Sequence, residues 1–155
     1  MTSKQAIPAQ KKRDYVNNPG SHIERRFLAD IAAAGLPLPV TEYEFCPGRK
    51  WRIDAAYPEQ KIAIELEGGM WQGGRHTSPL GYMRDCEKYN TLALMGWRLL
   101  RFPAIMVEGG KVTRKRQRKG EVYRVQEIVE PCAVELVKEA LEGTAPNRPG
   151  GEEGV

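Results

Sequence analysis

Asp54, Glu65 and Glu67 are the residues of this chain whose types and spacing could do chemistry. Asp54 lies in an apolar run, Trp51 to Tyr57, and Glu65 and Glu67 close a second, Lys61 to Glu67. Both runs read as strands, with a turn through Pro58-Glu59-Gln60 between them. A hairpin closed there returns Asp54 beside Glu65. Side chains two apart on a strand share a face, so Glu65 and Glu67 point alike. Like charges buried together need a counter-charge. Hard divalent cations take carboxylate ligands, and magnesium at such a site serves phosphoryl chemistry, with Mn2+ expected to substitute. Asp54 and Glu65 would hold the ion, and the backbone carbonyl of Leu66 between the two glutamates could add a ligand. Glu67 could orient or deprotonate the attacking water. The competing view is that all three acids are solvated strand ends. The unbroken apolar run before Glu65, and Gly68-Gly69 directly after Glu67, argue against it.

The elements that would position these acids follow from the pattern on either side. Ser21-His22-Ile23-Glu24 opens a helix carrying Ile23, Phe27 and Ile31 at helical spacing, and Gly35 and Pro37 stop it. Thr41 to Cys46 predicts a short strand, and Pro47-Gly48-Arg49 a turn. After the two acidic strands, residues 68–80 predict a glycine-rich loop. Ser78-Pro79 then begins a helix running to about Met95, with Gly96 after its end. Its apolar stripe reads as Tyr82, Cys86, Tyr89 and Ala93. Trp97 to Phe102 predicts a fourth strand ended by Pro103. Residues 111–119 predict a basic loop or hairpin, Glu121 to Val129 a further strand, and Pro131 the start of a last amphipathic helix ended by Gly143. The fold class is α/β or α+β with a mixed sheet. Residues 1–19 predict a flexible basic arm with Lys4, Lys11, Lys12 and Arg13. Residues 20–143 form the folded domain, and 144–155, rich in Pro, Gly and Glu, a disordered tail.

Further candidates surround the acids. Arg75 and His76 follow them in the glycine-rich loop, where the histidine could be a general acid or a phosphate contact and the arginine a phosphate contact. Trp71 and Gln72 could also reach a substrate. On the second helix, Arg84, Asp85 and Lys88 share a neighbourhood, which could be no more than a surface ion pair. Lys111, Arg114, Lys115, Arg116, Arg118 and Lys119 place six basic residues in nine with no acid among them. Beside a phosphodiester-cleaving core this run reads as a phosphate-backbone contact, supplying affinity and salt dependence rather than sequence preference.

Composition sets the frame. The 155 residues are 41% hydrophobic, enough for one domain with a modest core. The net charge of +4 and a pI near 9.0 favour a polyanionic partner. Cys46, Cys86 and Cys132 are odd in number and widely spaced, which disfavours a disulfide scaffold or a cysteine zinc module. No run has a signal-peptide or membrane-spanning pattern, so the expected setting is the cytoplasm, with no membrane partner. Monomer and homodimer both stay open.

The chain resembles the PD-(D/E)XK, or restriction-endonuclease-like, superfamily. Within it, the likeness is to small nucleases related to the very-short-patch-repair endonuclease, including phage-borne ones. The resemblance rests on Ile53-Asp54, Ile64-Glu65-Leu66-Glu67-Gly68-Gly69, Gly73-Gly74-Arg75-His76, Arg84 to Asn90, and Leu94 to Phe102, spanning residues 21 to 103. It implies an αβββαβ core with a mixed four-stranded sheet, and a magnesium-dependent endonuclease acting on DNA in repair, recombination or processing. It also implies that Glu24, on the first helix, completes the metal site. Ser21-x-x-Glu24 equally reads as a capping box, a purely local role. The chain departs from the family in carrying Ile53 before Asp54 and Glu67 where the signature lysine stands. Lys88, if it faces the site, would restore that positive charge. The alternative is a nucleic-acid-binding relative of the fold that no longer cleaves.

Overall fold

A computed structural model of the chain describes residues 20–68 and 78–143. The basic arm, the segment 69–77 with Trp71, Gln72, Arg75 and His76, and the tail from 144 lie outside the described residues.

Helix α1 spans His22–Ala33, with the Ser21 hydroxyl accepting from the Glu24 amide. Strands β1 (Val40–Glu44), β2 (Arg52–Tyr57) and β3 (Ile62–Glu67) follow, then helix α2 (Pro79–Leu94) and strand β4 (Arg98–Pro103). This is the expected αβββαβ order. The first strand ends two residues early, at Glu44. These four strands form a sheet in the order β1-β2-β3-β4, antiparallel except for the parallel pair β3–β4 joined through α2.

Pro103 ends β4 as expected, but it also caps a short helix, α3 (Ala104–Glu108), that the sequence pattern does not announce. The basic run is a hairpin. Strand β5 (Gly110–Arg118) pairs with β6 (Glu121–Val129) as a separate two-stranded sheet. Helix α4 (Ala133–Glu142) closes the described chain, and Gly143 takes the left-handed conformation there.

The pleat of β3 divides the interior. Ile62 and Ile64 face a cluster with Ile23, Phe27 and Ile31 of α1, Phe102 of β4, Val107 of α3 and Val137 of α4. Ala63 faces the opposite cluster, with Ile53, Phe45 and Leu92 of α2. The sheet is thus sandwiched, with α1, α3 and α4 on one side and α2 on the other. The stripe predicted on α2 is rotated from the observed one: Tyr82 is 63% exposed and Ala93 is exposed, whereas Leu92 is fully buried. Asp85, Lys88, Tyr89 and Leu92 share the inward face at i, i+3, i+4 and i+7. A polar pair on that face obscures it in an apolar count.

Phe27 is wholly buried, with its ring 6.0 Å from that of Phe102. It ties α1 to the sheet. Phe27→Ala should cost about 3–5 kcal/mol in urea unfolding. A loss under about 1 kcal/mol would mean that α1 is not anchored as described.

Candidate functional site

The Ala55↔Ile64 pairing of β2 with β3 makes Asp54 and Glu65 the next positions along the two strands. Asp54 Oδ2 accepts the Leu66 amide at 2.7 Å, so a side chain takes the N–H at this strand end. The Leu66 backbone therefore stands at the site through its amide. Strict alternation also fails here. Ile53 packs on the α2 side, whereas Ala55 and Tyr57 pack on the α1 side. Across from Asp54 in the β1–β2 register stands Glu42, whose φ of 49° is left-handed. With the alternation broken, the Asp54 carboxylate meets the last residues of β3 at Leu66.

Glu65 falls on the Ala63 side of β3, the side covered by α2. Lys88 reaches it from the inward face of that helix, with Nζ 2.5 Å from Oε1 and the two side chains only 15% and 12% exposed. The surface-pair reading of Lys88 is therefore replaced by a largely buried contact with a candidate ligand. In the parallel β3–β4 register Arg101 stands beside Glu65, and its guanidinium bonds Glu67. The Tyr89 ring lies under both cations, 4.9 Å from the Arg101 guanidinium and 5.7 Å from Lys88 Nζ.

Arg101 and Glu42 are the residues that sequence reasoning missed. Arg101 sits inside an apolar run. Its side follows only from knowing that β3 and β4 are parallel and in which register. Nothing in the sequence marks the left-handed turn at Glu42.

The Glu24 carboxyl group bonds back to Ser21 at the helix start, the local role, and lies near enough to Asp54 to feel its charge. Burial and that neighbouring charge hold it above the usual carboxylate range. Burial likewise raises Asp54, against the Leu66 amide and Lys88, which favour the charged form. For Glu65, burial outweighs the Lys88 hydrogen bond and charge and pushes the carboxyl up to about 7.

All three shifts have one sign, and burial is the first cause of each, with neighbouring carboxylates adding to it. A cation placed between the carboxylates would offset that cost. Asp54 Oδ1 and Glu65 Oε2 are the oxygens left to meet it after the Leu66 and Lys88 contacts. No group of three or more His, Cys, Asp or Glu side chains arranged to hold a metal ion occurs among the described residues. A cation at this cluster would rest on the Asp54–Glu65 pair, with Glu24 bonded back to Ser21 beside it.

The basic run lies away from this cluster. Lys111, Arg114, Lys115, Arg116 and Arg118 are exposed along β5, with Lys119 at the hairpin turn. The run has no acid of its own, but β6 brings Glu127 within 3.6 Å of Arg114 and 3.8 Å of Arg116. His22 lies 2.7 Å from Glu108 at the surface, away from the acids.

Two uncharacterised proteins of Mycobacterium tuberculosis, one from strain CDC 1551 / Oshkosh and one from strain H37Rv, are each 34% identical to this chain over 68 residues. The match takes in 43% of this chain and 24% of each relative, so the chain spans about a quarter of the curated relatives it matches. No family model and no solved structure matches the chain.

The raised carboxyls fix the sign of the pH dependence. Between the ordinary value of 4.5 and about 7, folded Glu65 holds a proton that the unfolded chain has released. Its contribution to stability is therefore greatest below 4.5 and declines as pH rises towards 7. At about 1.4 kcal/mol per unit, the decline is on the order of 3 kcal/mol. Urea unfolding across this window should show the fall in the wild type and a shallower one in Glu65→Gln. Equal slopes in the two proteins would contradict the assignment.

Proposed function

We propose that the protein is a metal-dependent endonuclease that hydrolyses phosphodiester bonds in DNA, of the restriction-endonuclease-like kind. The single observation that carries the proposal is the convergence of Asp54, Glu65 and Lys88 at the end of a mixed sheet: two partly buried carboxylates and one partly buried ammonium, from three different elements. The αβββαβ order supports it. So does the position of Lys88 on α2, where it supplies the positive charge that Glu67 does not.

The residues divide the work as follows. Asp54 and Glu65 would hold Mg2+ or Mn2+, which when bound lowers the pKa of water and polarises a phosphoryl oxygen. Lys88 stands against Glu65 and can turn its ammonium to a scissile phosphate, stabilising charge as it develops. Glu67 is held by Arg101 and faces the same side of β3. The arginine orients the carboxylate so that it can accept a hydrogen bond or a proton from the attacking water. Tyr89 packs beneath both cations and limits their motion.

A second reading, a DNA-binding relative that does not cleave, is favoured by one observation: Arg101 already engages Glu67.

A plasmid-nicking assay with Mg2+ or Mn2+ decides between them. Asp54→Asn and Lys88→Met should each slow cleavage by about 10²-fold or more while leaving DNA affinity in EDTA nearly unchanged. Glu67→Gln should slow cleavage comparably. Cleavage undiminished in Asp54→Asn would remove the catalytic assignment, and a wild type that binds but never nicks would establish the second reading.

A further inference from the structure

The β5–β6 hairpin has two unlike faces. In an antiparallel pair, residues directly opposite share a face, and the register assigns every side chain. One face carries Val112, Arg114, Arg116 and Arg118 with Glu127, Val125, Tyr123 and Glu121. Here Glu127 lies near Arg114 and Arg116, and Val112, Val125 and Glu127 are partly covered. The other face carries Lys111, Thr113, Lys115 and Gln117 with Ile128, Gln126, Arg124 and Val122. All eight of these are exposed, and no carboxylate is among them. None of its three cations forms an ion pair among the described residues.

Lys115 and Arg124 stand directly opposite each other on that open face. Like charges at such a position have Cβ atoms about 4.5–5.5 Å apart and repel. An anion between them removes the repulsion. The arrangement is held rigid by a two-residue turn, Lys119-Gly120, both at positive φ (50° and 85°), which pins Arg118 against Glu121 and so keeps the faces from exchanging.

We propose that this open face, and not the arginine-rich one, is the DNA-docking surface of the protein, with the hairpin entering the major groove of a duplex as a two-stranded ribbon. The proposal rests on the DNA reading above and adds where the duplex sits. Its dimensions suit the groove. Nine residues per strand extend about 30 Å at roughly 3.4 Å each, close to one DNA turn of about 34–36 Å. Two strands about 4.8 Å apart enter a groove about 12 Å wide. Lys111, Lys115 and Arg124 face phosphates, and Gln117 and Gln126 on the same face reach towards base edges, where glutamine pairs with adenine. Arg124 joins the surface, and Arg114 and Arg116, near Glu127, leave it.

Fluorescence anisotropy of a labelled 20-base-pair DNA duplex in EDTA, across a range of NaCl, tests the assignment without cleavage. Three cations to phosphates contribute about −0.9 each to the slope of log K against log salt. The variant Lys111→Ala/Lys115→Ala/Arg124→Ala should flatten the slope by about 2 to 3, and Arg114→Ala/Arg116→Ala by less than 1. Glutamine versions of the triple variant should behave alike, which separates charge loss from a hairpin destabilised by alanine. An unaltered slope in the triple variant, a larger loss in the arginine pair, or no duplex binding by the wild type would each overturn the proposal. So would equal or tighter binding of an RNA duplex, whose major groove is too deep and narrow for the ribbon. Plasmid cleavage measured in parallel judges the catalytic reading separately. Intact plasmid with a flattened slope would keep the docking face and remove the nuclease.

Discussion

The burial of Asp54 and Glu65 side by side is the constraint on which the site depends. The β2–β3 hairpin brings the two acids to adjacent ends of paired strands, out of bulk water and in reach of Glu24 and Glu42. Desolvation penalises each charge, and the neighbours add to the penalty. The fold offsets it with groups from every layer: the Leu66 amide for Asp54, Lys88 of α2 for Glu65, Arg101 of β4 for Glu67. Burial still outweighs these partners, and the carboxyls of Glu24, Asp54 and Glu65 are all raised.

The architecture follows from placing those counter-groups. The parallel β3–β4 pair requires a crossover, and the crossover is α2, whose inward face carries Leu92 into the core and Lys88 to Glu65 in consecutive turns. The same register sets Arg101 beside Glu65. Gly68, at the end of β3, comes so close to Ile23 of α1 that a Cβ there would lie 3.2 Å from its Cδ1. Helix α1 thus seats against the strand end that carries the acids.

The element order was legible because its signals are local: a serine cap before each of the first two helices, proline and glycine at the breaks, and apolar runs of strand length. The facing of Asp54 and Glu65 was legible for the same reason, since a short turn fixes register. What the sequence hid is long-range. Arg101 belongs to the site through parallel pairing across an intervening helix. Lys88 reads as one of three surface charges until the rotation of α2 is known, and the Tyr82 stripe pointed that rotation the wrong way. Glu127 lies eleven or more positions from the two arginines it approaches, so the run 111–119 looked uniform when the two faces of the hairpin differ. Arg75 and His76 lie outside the described residues, and their parts rest on the sequence alone.

The central claim is that the Asp54–Glu65 pair is a divalent-cation site. Calorimetric titration of Mn2+ at pH 8 tests it most directly, without DNA or turnover. Asn at position 54 retains an oxygen to accept the Leu66 amide while removing the charge, so Asp54→Asn should stay folded. The account predicts Mn2+ binding to the wild type that is lost in Asp54→Asn and in Glu65→Gln, together with stabilisation of the wild type alone by the ion. Equal binding by all three proteins, or none by the wild type, would contradict it.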